Sequence, residues 1–389
     1  MVSKLLKFEK KITEWIEKNV SVLFFTVITL LGFYIRYIGR TVTSPDMRDF
    51  LLPWYYGMKG AGGFPGMKEQ MGDYNVLYQT FVAIMTYLPL NPQNMYKALA
   101  CIFDYTAALA AAWIVADSAG KKKFGGLFNT VYTVILFMPT VVINSAYWGQ
   151  CDSMYSFLVV VSLILLYKEK FISSFVLLGI AFALTLQTIF VLPFFIAYYF
   201  VKKKVSILHF ALSVMVFWLS GLPAYLAGRS LLTPFKIYAQ QTGTYSKMWL
   251  NARSFWQLFG DDYNAYHGMA VVLTLAICGL GFYMLMIKQV KLDSRAEFFA
   301  AASWFVWACV FFLPAMHERY AYLLDLLLVI TAFLDKRFIK FTALSVTFSF
   351  ISYGPFLTQY GGVGKQDAFI EFLAFIWFSG VILHDKEQA

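Results

Sequence analysis

Five short clusters of the 389-residue chain hold the residue types that do chemistry: Asp46, Arg48 and Asp49; Asp73, Tyr74 and Asn75; Trp148, Gly149, Gln150 and Asp152; Trp249, Asn251, Arg253 and Trp256; and Met316, His317, Glu318, Arg319 and Tyr320. Gln187 stands between the third and fourth. A carboxylate such as Asp46 or Asp49 can take a proton at a reacting centre. The planar fork of Arg319 suits two phosphate oxygens at once, with His317 beside it and Arg253 as a second clamp. Each residue also has a plainer role. Asp46 and Asp152 are favoured helix N-caps, Arg319 and His317 can pair with Glu318 or Asp152, and Tyr74, Trp148, Trp249 and Trp256 suit membrane-interface anchors.

Familiar catalytic motifs are absent. His317-Glu318-Arg319-Tyr320-Ala321 begins like HExxH but lacks the second histidine, and Gly361-Gly362-Val363-Gly364-Lys365 ends in Gln366 where a phosphate loop needs Ser or Thr. His209, His267, His317 and His384 are too scattered for a three-histidine metal site, and Cys101, Cys151, Cys278 and Cys309 show no CxxC spacing.

The elements that must position these clusters are membrane helices. Hydrophobic residues make up 60% of the chain and charged ones 14%, against roughly 45–50% and a quarter in soluble domains. Apolar runs recur from Val20 to Leu383, and a bilayer crossing takes about 20 such residues. The expectation is an all-α polytopic transmembrane bundle of about twelve spans forming a single domain over residues 1–389. The net charge of +10 sits in short connections, Lys121-Lys122-Lys123, Lys202-Lys203-Lys204 and Asp335-Lys336-Arg337 among them. This is the pattern of cytoplasmic loops and anionic-lipid contact, not of nucleic-acid binding. Residues 1–19 carry Leu5, Phe8, Ile12, Trp15 and Ile16 at helical spacing among charges. They predict an uncleaved cytoplasmic amphipathic helix lying in the headgroup layer.

Alternating the loops from a cytoplasmic N-terminus puts residues 40–94 outside as a long first loop with interfacial helices, and 228–266 as a second large outer loop. The run Tyr74 to Leu90 conflicts with this scheme unless it is an interfacial or re-entrant helix, with about Met95 to Ala116 crossing inward. Phe171 to Phe200 must fold as two short halves turning near Thr185-Leu186-Gln187. Basic connections near 168–170, 202–204, 288–295 and 335–340, and the C-terminal His384-Asp385-Lys386, then fall inside. Only Lys and Arg were used to set this topology, yet it gathers the polar clusters on the other face, where charges at membrane depth need a polar cavity.

These motifs, in this order, resemble the GT-C superfamily of integral-membrane glycosyltransferases, particularly bacterial relatives of the GPI mannosyltransferases. The likeness is carried by Ser44-Pro45-Asp46 with Phe50-Leu51-Leu52-Pro53-Trp54-Tyr55, Gly72-Asp73-Tyr74-Asn75, Tyr147-Trp148-Gly149-Gln150-Cys151-Asp152, Asn251 with Phe255-Trp256, and Met316-His317-Glu318-Arg319-Tyr320. The resemblance implies transfer of a sugar from a polyprenyl-phosphate donor to an extracytoplasmic glycan or lipid acceptor, in the plasma membrane, with Asp46 as base and Asp49 in reserve. It implies a donor phosphate held by His317, Arg319 and Arg253. Tyr74, Asn75, Trp148, Gln150, Asp152, Gln187, Asn251, Trp256 and Glu318 would contact substrate. Asp46, Asp49 and Asp152 suit magnesium or manganese, although their spacing does not demand a metal. The chain departs from the family in reading Thr185-Leu186-Gln187 where relatives often have Lys-Pro-Gln, and Met47 where an aromatic is common. A secondary transporter or flippase of lipid-linked sugars is the main alternative, but the chain lacks the internal repeat and midplane charges expected of one. A non-catalytic assembly subunit is the third.

Overall fold

The computed structural model describes residues 2–287 and 290–383. Lys288 and His384-Asp385-Lys386 lie outside the described residues. Helices account for 77% of the structure. The first, α1 (Val2–Gly39), is followed by α2 (Leu52–Gly60), α3 (Val76–Met85), α4 (Pro92–Ser118), α5 (Gly126–Leu136) and α6 (Pro139–Val142). The central stretch contains α7 (Asp152–Tyr167), α8 (Phe171–Leu184), α9 (Leu192–Lys202), α10 (Ile207–Leu219), α11 (Leu222–Leu226) and α12 (Thr233–Gln241). The last third contains α13 (Tyr263–Ile287), α14 (Arg295–Phe312), α15 (Tyr322–Leu334), α16 (Ile339–Thr358) and α17 (Lys365–Leu383).

Among the described residues, six helices are long and apolar enough to cross a membrane, and the bent pair of Gly126–Leu136 with Pro139–Trp148 makes a seventh. This is a membrane protein. Five further apolar helical segments of 10–17 residues are shorter than a crossing requires by themselves. One is α3, whose ten residues extend about 15 Å against a core of about 30 Å.

Ion pairs show which connections share an end. Asp117, at the close of α4, receives Lys168 at 3.5 Å and Arg295 at 2.7 Å. Glu169 pairs with Lys204 at 2.5 Å, and Asp293 pairs with Lys202. Asp335 and Arg337 line a small cavity with Ser294 and Glu297. The basic connections therefore collect at one end of the bundle. The Glu169–Lys204 contact also proves that α8 and α9 form a hairpin. Its turn falls at Thr185, which is extended between Leu184 and a 3-10 turn over Leu186–Val191, where the apolar run is too long for one short pass and too short for two full ones.

Core positions concentrate in α14 and α15. All residues from Tyr322 to Ala332 are buried, and α15 packs between α14 and α16 while also touching α7 and α4. Tight crossings depend on small side chains: a Cβ on Gly179 of α8 would lie 2.5 Å from the Ser213 carbonyl of α10, the close backbone approach that glycine permits between membrane helices. Buried charges inside the bundle are met by polar partners. Arg36 donates to Asp104 at 2.9 Å, which also accepts from Ser145 and Tyr322.

One expectation is revised. Residues 2–19 do not form a helix separate from the first long one: α1 is uninterrupted over 38 residues, about 57 Å at 1.5 Å per residue. No Gly or Pro occurs before Gly32 to turn its axis, so the charged first turns continue the line of the first span.

Candidate functional site

At the end opposite the basic connections, the chain between α1 and α2 makes a π-helical turn, Met47–Leu51, that carries Asp46 at its start. The cap of this turn is Ser44, not Asp46. The Ser44 hydroxyl accepts from Met47 N at 3.1 Å and donates to the Trp148 carbonyl at 2.6 Å. Asp46 itself has helical backbone angles and makes no capping bond, which leaves its carboxylate free to reach across. Trp148 Nε1 donates to Asp46 Oδ2 at 2.9 Å, and Gln150 Nε2 donates to the same oxygen. Gln150 Oε1 in turn accepts from the Tyr74 hydroxyl at 2.9 Å.

Trp148 and Gln150 can converge on one oxygen because the chain between them reverses at Gly149, whose φ of +86° is open to glycine at little cost. A Cβ there would stand 2.5 Å from Met47 Cε, so the same glycine lets the first-loop turn pack against Trp148. Lys97 secures the frame by donating to the carbonyls of Gly39 at 2.8 Å, Val42 at 2.5 Å and Tyr147 at 3.2 Å.

The facing wall comes from the segment between α14 and α15. Two-residue strands β1 (Trp249–Leu250) and β2 (Met316–His317) pair in parallel, Glu318 N donates to the Leu250 carbonyl at 3.1 Å, and Asn251 bridges to His317. This pairing holds His317, Glu318 and Arg319 over a cavity of about 290 Å³ that is also lined by Asp46, Asp73, Tyr74, Gln150, Gln187, Gln241, Tyr245 and Asn251. A second, largely apolar cavity of about 350 Å³ shares Gln187, Gln241, Tyr245 and Tyr320 with it, then continues along Ile189, Phe190, Val271 and Leu313.

Burial pushes the Asp46 carboxyl above its ordinary value, and the Arg319 charge and the bonds from Trp148 and Gln150 hold it back. Burial raises Glu318 to about 7, against the pull of Arg319. His317 is lowered to about 3 by burial and by the Arg319 charge. The imidazole is therefore neutral, and its Nε2 is buried without a hydrogen-bond partner. Gln241 Oε1 is likewise buried and unpartnered. Arg319 uses only Nη1 toward Asp152, at 3.4 Å to each oxygen. Its Nε and Nη2 make no hydrogen bond among the described residues.

The sequence-derived candidates divide into three groups. Asp46, Tyr74, Gln150, Gln187, Asn251, His317, Glu318 and Arg319 line the cavity. Trp148 and Asp152 stand behind it, the first holding Asp46 and the second fixed between Asn144 at 2.8 Å and Arg319; neither caps a helix. The others are elsewhere. Asp49 is exposed and paired with Arg48 at 2.7 Å, because in a π-turn residues three apart leave the common face they share on an α-helix. Asn75 caps α3 and donates to Pro234 O at 3.0 Å. Arg253 is buried among Ser345, Asp325 and Glu371, and Trp256 donates to the Phe312 carbonyl at 2.7 Å. Asp46, Asp49 and Asp152 do not converge, and among the described residues no group of three His, Cys, Asp or Glu side chains is placed to hold a metal ion. Gln241 and Tyr245 were not among the candidates; Gln241 closes α12 and Tyr245 follows in the loop beyond it, a stretch with no motif, where only tertiary packing could reveal them.

Comparison of the chain with protein-family models and with curated proteins gives no match.

Proposed function

We propose that this protein is a membrane glycosyltransferase of GT-C type that moves a sugar from a polyprenyl-phosphate donor to an acceptor hydroxyl at the extracytoplasmic face. One observation carries the reading: Asp46 and Arg319, whose Nε and Nη2 are uncommitted, line one polar cavity that shares lining residues with an apolar cavity. A ligand with a phosphate between a polar ring and a hydrocarbon chain matches that sequence of environments. The twelve-pass topology belongs to the same proposal. Counting the hairpin halves and the bent pair as passes, the chain alternates between the basic end and the polar end, which puts the basic end in the cytoplasm.

In the reaction, the acceptor oxygen attacks the anomeric carbon and its proton passes to Asp46. The carbon–oxygen bond to phosphate breaks, and the phosphate departs with the electron pair toward Arg319. Hydrogen bonds from Trp148 and Gln150 to one oxygen of Asp46 leave Oδ1 for the acceptor. Gln241 Oε1 and neutral His317, both unpartnered, suit sugar hydroxyls in a way a charged imidazole would not. General-base catalysis of this kind contributes about 10²- to 10⁴-fold.

The test is transfer of radiolabelled hexose from a panel of polyprenyl-phosphate sugars by the purified protein in liposomes, with and without Asp46→Asn. Labelled product that disappears in the variant supports the assignment. Lipid-linked sugar crossing the bilayer without any transfer product would instead make the protein a flippase.

A further inference from the structure

A second polar groove, of about 470 Å³, lies on the outside of the site between the turn that closes at Lys68 and the start of α12. Lys68, Arg229 and Lys236 surround it, with Glu69 the only carboxylate among its lining residues. Neither lysine makes a hydrogen bond or ion pair among the described residues, whereas Arg229 is held in place. It donates to Gln70 Oε1 at 2.6 Å and to Gln79 Oε1 at 3.3 Å. Helix α12 begins at Thr233 on the groove wall, so the positive end of its dipole adds to the three cations. Beside the groove the surface is hydrocarbon: Leu226 is 76% exposed, with Leu231 and Leu232 also exposed. Three cations beside exposed hydrocarbon are the pairing that suits the phosphate of a lipid headgroup.

The groove is joined to the cavity. Gln79 Nε2 donates to Gln70 Oε1 at 3.1 Å and to the Tyr74 carbonyl at 2.8 Å. The Tyr74 hydroxyl reaches Gln150, which holds Asp46. On α12, Gln240 lines the groove while Gln241 lines the cavity.

We propose that this groove binds the phosphate of a lipid, separately from the Arg319 cavity, and that this lipid is the acceptor or carries it. The acceptor role rests on the transfer reading; the binding does not. The experiment is native mass spectrometry of the full chain in detergent, with a prenyl monophosphate, phosphatidylglycerol or inorganic phosphate added in turn. The Asp46→Asn and Arg319→Gln variants keep the groove intact and should retain lipid phosphate there. The Lys68→Ala/Lys236→Ala pair should weaken it by about thirtyfold, in keeping with roughly 1 kcal/mol for each of the two surface cations. Preference for prenyl monophosphate over phosphatidylglycerol points to a lipid-linked acceptor, and equal retention points to bulk anionic lipid. Undiminished lipid retention in the double lysine variant, or inorganic phosphate competing as well as either lipid, would overturn the proposal. Because no sugar need be transferred, a chain that binds lipid phosphate here without transfer activity sinks the function while leaving the groove standing.

Discussion

At the residue scale the decisive contrast is between two members of one short motif. His317 and Arg319 both suggest cations in the sequence, yet burial next to a guanidinium leaves the imidazole neutral while Arg319 keeps its charge. Asp46→Asn should fold normally, because the amide oxygen still accepts from Trp148 and Gln150, and should lower the transfer rate by about 10²- to 10⁴-fold in single-turnover assays. Arg319→Lys retains the positive charge facing Asp152 but has no planar fork. We expect donor KM to rise at least tenfold with little change in thermal stability; an unchanged KM would limit Arg319 to pairing with Asp152. Glu318 provides a pH test. Between its ordinary value near 4.5 and its folded value near 7, the folded protein holds a proton that the unfolded chain has released. Stability from this group therefore falls as pH rises through that window. His317 acts in the opposite sense between about 3 and 6.5, so the variant isolates Glu318. The melting temperature of Glu318→Gln relative to wild type should climb from pH 5 to pH 8.

At the element scale the site depends on three irregular pieces: the π-turn carrying Asp46, the left-handed Gly149, and the paired strands β1 and β2. Regular helices could not bring these groups together, since their side chains repeat on faces of one axis. Gly149→Ala introduces strain at φ +86° and a contact of 2.5 Å with Met47. It should cost roughly 1–3 kcal/mol of stability for a strained backbone position and lower transfer by more than that loss accounts for, as seen by comparing kcat with the midpoint of thermal unfolding. The motif Tyr147-Trp148-Gly149-Gln150 advertised this piece. The π-turn was not legible, because Asp46, Asp49 and Met47 are compatible with an ordinary α-turn until Ser44 takes the capping position.

At the scale of the molecule, the basic connections and the polar cavity occupy opposite ends of the bundle. Cysteine variants at Asp46 and Lys203, treated with a membrane-impermeant thiol reagent in sealed cells, should label from opposite sides: Asp46→Cys from outside and Lys203→Cys only after permeabilisation. Labelling of both from one side would contradict the topology. The α8–α9 hairpin and the short α3 were expected from run lengths and loop charge, because hydrocarbon thickness limits what a helix of a given length can span. The continuation of α1 across residues 2–19 was not, since amphipathic spacing describes a helix face and carries no information about where its axis points.

The sequence by itself determined that this is a helical membrane protein, which loops are basic, and which polar clusters had to avoid lipid. Those follow from composition and from the cost of charge in hydrocarbon, both properties of the chain without its fold. Only the tertiary structure decided which members of the clusters share a cavity. Asp49 and Arg253 are chemically as suitable as Asp46 and Arg319, yet one is paired at the surface and the other is enclosed among Asp325, Glu371 and Ser345. Helix packing sets that division, because a charge can serve a ligand only where its neighbours in the fold leave part of it uncommitted.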